Sequence, residues 1–203
     1  MSKRFFSLVL TTLVLISGQS LASNEKLTHF LEILYEKPSL NLKAYNKVYI
    51  DTLGVSDAKL VLPPWADQNT KKIKNWSLTE KDVQLLKDAY RNAMTTTISA
   101  DDGFPIVTEY GNDVLVIDIA IQSLTPYAPK GDKVITKGTG ELAIQLQLRD
   151  GGSGALLGIY EGTQAVGEEY QENNRLSATS NLNALFSTWA NQSRKILDNA
   201  HNK

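Results

Sequence analysis

Carboxylates and lysines are the only plentiful reactive side chains in this 203-residue chain, which has no cysteine and two histidines. The missing thiol rules out thiolate nucleophiles, thiolate metal sites and disulfides. His29 lies in a segment expected to be helical and His201 lies near the last residue. Neither falls among the expected strands, where a rigid site could hold it, so a Ser-His-Asp set has no base to recruit. No two potential zinc ligands stand at workable local spacing. The sequence therefore predicts no catalytic set, no metal and no cofactor.

The acids divide by setting. Asp101-Asp102 and Glu168-Glu169 stand in turn-like segments, where solvated loop acids are the rule. Asp118 differs, because it interrupts the most apolar run in the chain and is the one acid that could serve a carboxylate-dependent enzyme. Alternation nevertheless puts it on the polar face of a strand. The run Asp150-Gly-Gly-Ser-Gly154 lacks the alternating acids of a calcium loop and the Lys-Ser/Thr of a phosphate loop, and reads as a hairpin turn.

Two loops carry the remaining candidates. Gly54 to Trp76 contains Pro63, Pro64, Trp65, Trp76 and the basic run Lys71, Lys72 and Lys74. Loops this long are uncommon in compact domains and often functional, although two tryptophans can also simply pin such a loop to the body. Lys130, Lys133 and Lys137, interleaved with glycines, form a second, cationic loop between two strands. It could meet an anionic glycan or a lipid headgroup, or serve as solubilising charge. Trp65, Trp76 and the six lysines are the candidate interaction surface.

The elements that must position these groups follow from periodicity. Leu27, Phe30, Leu31 and Leu34 fall on one helical face, predicting a short amphipathic helix ended by Pro38. Lys47 to Leu53 alternates as a strand. Ser77-Leu78-Thr79-Glu80 has capping-box spacing and opens a helix running to about Ser99, with Val83, Leu86, Tyr90, Ala93, Met94 and Thr97 inward. The period then becomes two. Phe104–Tyr110, Asp113–Leu124, Gly140–Asp150 and Ala155–Val166 read as strands, with Leu115, Ile117, Ile119 and Ile121 inward and Asp118 and Gln122 outward. Gly167 to Ser180 reads as loop, and Asn181 to Ala200 as a last helix burying Leu182, Leu185, Phe186, Trp189, Ile196 and Leu197. This order predicts an α+β fold: one sheet of about five strands, antiparallel with mixed pairing possible, two main helices covering one face, and a short N-terminal helix.

The head of the chain has the form of an export signal. Lys3 and Arg4 precede the apolar run Phe5 to Ile16, and Ser20-Leu21-Ala22 supplies small residues three and one before a cut. Twelve such residues fall short of the ~20 that span a bilayer. The expected organisation is a cleaved signal over 1–22, with cleavage between Ala22 and Ser23, the short helix and linker over 23–43, and a single α+β domain over 44–203. Removing Lys3 and Arg4 leaves 19 basic and 22 acidic residues, a formal charge of −3. That balance offers nothing general to nucleic acid.

The order of motifs AYNKVYID, TEKDVQLLKDAYRNAM, NDVLVIDIAI, GELAIQLQLRDGGSGALLGIYEG and LNALFSTWANQSRKIL resembles the bacterial family catalogued as domain of unknown function 3313. The resemblance covers Ala44 to Leu197. It implies a small envelope protein, many members being lipoproteins, and supplies no catalytic residues. Two departures stand out. Asn24 occupies the place where a lipidation cysteine would follow Leu21-Ala22-Ser23, so no acyl chain is expected. Tyr110-Gly111-Asn112-Asp113 stands where a Gly-Pro-rich turn would precede the long strand. The expected protein is a soluble, non-lipidated periplasmic component without enzymatic activity. It would bind an envelope protein or glycan and keep no transmembrane segment after cleavage. The rival reading is a carboxylate enzyme acting on envelope glycans or lipids, and a third is oligomerisation through the solvated sheet face or an edge strand.

Overall fold

The computed structural model describes residues 31–66, 76–129 and 132–203. The export signal, its cleavage site at Ala22 and Ser23, the first helical positions Leu27 and Phe30, and Lys71, Lys72, Lys74 and Lys130 lie outside the described residues.

The long alternating segments form the expected centre of the sheet. Strands β1 (Glu32–Glu36), β2 (Lys47–Ile50), β3 (Lys59–Leu60), β4 (Val114–Pro126), β6 (Gly140–Asp150) and β7 (Leu156–Ala165) build one mixed sheet in the order β1-β7-β6-β4-β2, with β3 also on β4. Strands β5 (Ile135–Lys137) and β8 (Tyr170–Glu172) form a separate two-stranded antiparallel ribbon. The pairs β1·β7, β7·β6 and β6·β4 are antiparallel, whereas β2 and β3 run parallel to β4. A parallel pair requires a crossover, and helix α1 (Glu80–Ser99) lies in it.

Helices α1 and α2 (Arg175–His201) cover one face of the sheet. Leu86, Tyr90, Ala93, Met94 and Ile98 give α1 its buried stripe. Leu182, Leu185, Phe186, Trp189 and Leu197 do the same for α2. The rings of Tyr90 and Phe186 meet edge to face at 5.8 Å, and Phe186 meets Trp189 at 5.0 Å. Beneath them lie Ile50, Leu115, Ile117, Ile119, Ile121, Ile144 and Tyr160, all almost fully buried.

Several expectations need correction. Glu32–Glu36, placed in a helix by the sequence reading, is an edge strand: Ile33 and Tyr35 suit a pleated surface, and the free edge of β7 supplies hydrogen-bond partners. Its register shifts between Ile33 and Tyr35, leaving Leu34 and Tyr35 exposed. Phe104–Tyr110 makes only an isolated parallel bridge, Ile106 to Val48, where Pro105 cannot donate to a ladder. The α1 cap is Thr79, not Ser77. The Asp82 amide donates to the Thr79 hydroxyl at 3.3 Å and the Thr79 amide donates to the Asp82 carboxylate at 2.8 Å. The presumed loop Gly167–Ser180 contains β8 and the first residues of α2.

The hairpin reading of Asp150–Gly154 holds. The Asp150 carboxylate accepts from the Gly152 amide (3.1 Å), the Ser153 amide (2.7 Å) and the Ser153 hydroxyl (2.7 Å). Gly154 completes the turn at φ +71, a conformation open to glycine.

Candidate functional site: an apolar pocket at one end of the sheet

The first of the two candidate loops begins as sheet edge. Gly54 donates to the Ile119 carbonyl at 2.9 Å and accepts from the Ile121 amide at 2.8 Å, and β3 then pairs with Ser123 and Leu124. The chain from Lys47 to Leu60 is thus one interrupted strand laid parallel along β4, and it delivers the rest of the loop to the β4 end near Pro126. The lysine loop leaves from that same end and returns at Gly140 to start β6. Both helices also begin there.

A pocket of about 380 Å³ opens at this junction. Leu124 and Leu142 from the sheet, Leu85 and Leu86 from α1, Leu182 from α2 and Trp76 line it, with Ala128 and Pro129 on the lysine-loop side. Gly140 permits the close approach of β6 to the β4 end, since a Cβ there would lie 2.6 Å from the Thr125 carbonyl oxygen. Several polar side chains around the pocket bond within the protein. Asp82 caps α1, and the Thr139 hydroxyl donates to the Val166 carbonyl at 3.2 Å. The Asn173 amide donates to the Thr136 hydroxyl at 3.3 Å. Glu141 accepts from the Tyr127 hydroxyl at 2.7 Å. Burial, together with that bond and the Glu141 charge, pushes the Tyr127 pKa up to about 12, so the phenol stays a donor.

Among the candidate residues, Trp76 is buried and lines the pocket, while Trp65 is 66% exposed and packs against it at 5.9 Å. Lys133 and Lys137 are exposed. Lys137 belongs to the β5–β8 ribbon, whose outer face also presents Ile135 and Tyr170, 75% and 77% exposed. The pocket was not foreseen from the sequence.

The opposite face of the sheet holds Asp118. The parallel register that pairs Ile50 with Ile117 places Asp51 beside Asp118 on this face. Partial burial and the Asp51 charge raise the Asp118 pKa, and Arg149 opposes the rise. Alongside runs a hydrogen-bonded chain: Arg149 donates to Gln147 (2.7 Å), Gln147 to Gln145 (2.7 Å) and Gln145 to Glu161 (2.6 Å). The rings of Tyr49 and Tyr110 meet at a tilt, 4.7 Å between centroids. His201 is a packing residue, its ring 4.9 Å from Phe104 and its Nδ1 2.9 Å from the Leu197 carbonyl. Asp101, Asp102, Glu168 and Glu169 are exposed turn acids, as expected. Among the described residues no cluster of three metal-ligating side chains occurs, and no helix is long and apolar enough to cross a membrane.

Fold and site together define an α+β domain whose helices cover one sheet face and whose loops surround an apolar pocket. The chain belongs to the family described as "Protein of unknown function (DUF3313)", whose model matches residues 14–193. A search of curated proteins returns no match. Solved structures with a similar chain course include the PelC dodecamer from Paraburkholderia phytofirmans, at 13% identity and TM-score 0.39, covering 79% of this chain and 94% of that one. Another is protein XCC0632 from Xanthomonas campestris, at 8% identity and TM-score 0.45, covering 83% and 94%. A third is a putative neuraminyllactose-binding hemagglutinin homolog from Helicobacter pylori, at 8% identity and TM-score 0.37, covering 83% and 95%.

Proposed function

We propose that this protein is exported, cleaved after Ala22 and left unlipidated in the periplasm, where it serves as a non-enzymatic binding or accessory component of an envelope assembly. The supporting observation is that Trp76, at the end of the tryptophan-containing loop, and Ala128 and Pro129, at the start of the lysine loop, line one apolar pocket. Pockets of this size with mostly apolar walls are the usual place for a ligand or an inserted partner group. Trp65, exposed and in tilted contact with the ring of Trp76, is the natural anchor for that contact. The partner is an envelope protein or glycan. Fractionation combined with affinity capture of the mature protein tests this: a periplasmic protein beginning at Ser23, with a partner lost on Trp65→Ser, is expected. A lipid-modified or uncleaved N-terminus, or capture indifferent to Trp65, contradicts it.

One observation favours a second reading, a carboxylate enzyme on envelope glycans or lipids. Asp51 and Asp118 stand side by side with the Asp118 pKa raised, the arrangement by which paired acids divide acid and base roles. On that reading Asp118→Asn abolishes a turnover without loss of stability. An unchanged phenotype removes it.

A further inference from the structure

We infer that the pocket takes a hydrocarbon chain whose polar end is not anionic. This rests on the reading of the pocket as the contact site and names the chemistry that the site selects. The floor is built from Leu86, Leu124, Leu142, Val166 and Leu182, all buried, so an occupant gains from leaving water and from little else. Asp82, Thr139, Glu141 and Asn173 each already direct a polar atom at a partner within the protein, so the polar groups at the pocket are partly committed to the fold.

The polar end is set by charge. Two carboxylates stand at the pocket, Asp82 and Glu141. The Asp82 carboxylate accepts from the Thr79 amide and hydroxyl at the positive start of α1, which offsets part of its charge. The Glu141 carboxylate accepts from the neutral Tyr127 hydroxyl, which leaves its charge uncompensated by that bond. A terminal carboxylate or phosphate arriving beside them is repelled in a partly desolvated setting, where like charges interact more strongly than in water. A neutral or cationic head carries no such penalty.

The test is a fluorescence titration of the mature Trp65→Phe protein, in which Trp76 reports from the pocket wall and Trp189 from the closed core. The probes are octyl, decyl and dodecyl maltoside below their micellar concentrations, with decanoate as the anionic match to the decyl chain. Binding is expected to tighten by about fourfold for each added methylene, the transfer free energy of a buried CH2 group. Decanoate is expected to bind at least tenfold more weakly than decyl maltoside at neutral pH. Ala128→Phe, which narrows the mouth, is expected to weaken dodecyl maltoside at least tenfold. Leu85→Gln, on the half-buried wall, gives a second variant should the first fail to fold. Binding without chain-length dependence, equal binding of decanoate, or binding unaffected in a folded variant overturns the proposal. No maltoside binding, with cellular adducts still forming at the loops, refutes the hydrocarbon ligand and leaves the contact site standing. The reverse result refutes the contact site and leaves the ligand.

Discussion

The Arg194 guanidinium donates from Nη1 to the Ala100 carbonyl oxygen at 2.7 Å, tying the end of α1 to α2 across 94 residues of sequence. Nη1 also donates to the Ile98 carbonyl at 3.2 Å, and Nε reaches both Asp198 oxygens at 2.8 Å. The last carbonyls of a helix have no partner within it, and here the cation that satisfies them also suits the negative helix end. Phe104 lies under the guanidinium at 5.8 Å and under the Lys203 ammonium at 4.6 Å. Arg194→Ala is expected to lower stability by about 1.5–3 kcal/mol, the range for hydrogen bonds from charged donors. Arg194→Lys recovers little of it, because an ammonium cannot reproduce the planar fork. Urea unfolding checks this, with the midpoint falling and the slope unchanged.

Gly103 sits inside that junction. A Cβ there would come 2.7 Å from the Ala100 carbonyl oxygen and nearer still to the Ile98 carbonyl and Arg194 Nη1. Gly103→Ala is expected to destabilise by roughly 1–3 kcal/mol, as overpacking does, against a few tenths for an exposed turn glycine of ordinary conformation. Thermal unfolding of the variant beside Arg194→Ala measures it. Because both changes strike one contact, their effects in the double variant should fall short of the sum.

Acid weakens the β6–β7 turn. Hydrogen bonds from Ser153 lead the causes that hold the Asp150 carboxyl below the usual carboxylate range, with the Tyr45 hydroxyl (2.9 Å) and the Gly152 amide assisting. A folded-state pKa below the unfolded one means stability that is present above the unfolded pKa and lost as the pH falls through the folded value. The stability difference between wild type and Asp150→Asn should therefore be full at neutral pH and shrink in strong acid. Urea midpoints across an acid series check it.

Asp118 has the opposite sign. Its folded pKa is raised by burial and by Asp51, so the ionised carboxylate carries a cost that is absent below the unfolded pKa and complete once the pH passes the folded value. Asp118→Asn should raise stability at neutral pH by up to about 1 kcal/mol, the scale of partly solvated charge interactions. The gain should disappear in acid. A loss of stability at neutral pH would show that the carboxylate is instead held by a favourable partner.

The helices and the central strands were legible because their signal is local. Tyr90, Met94 and Phe186 recur at helical spacing, and the inward set from Leu115 to Ile121 alternates without a break. What escaped the sequence depends on partners distant in the chain. Leu31 and Leu34 suit a helical face as well as a strand, and only the open edge of β7 decides between them. The parallel placement of β2 and β3 along β4 leaves no periodic mark, yet it carries the Trp65–Trp76 loop to the lysine loop. Trp65 and Trp76 were recognisable as candidates. Their meeting with Ala128 and Leu142 around one pocket was not, since it depends on the sheet order.

The central claim is that these two loops form one contact site, and site-specific photo-crosslinking in intact cells tests it most directly. A photoreactive residue placed at Trp65, and separately at Lys133, should yield adducts with the same partner, and Ala128→Phe should diminish both. Recovery of monomer alone at both positions, or of unrelated partners from the two, would contradict the account.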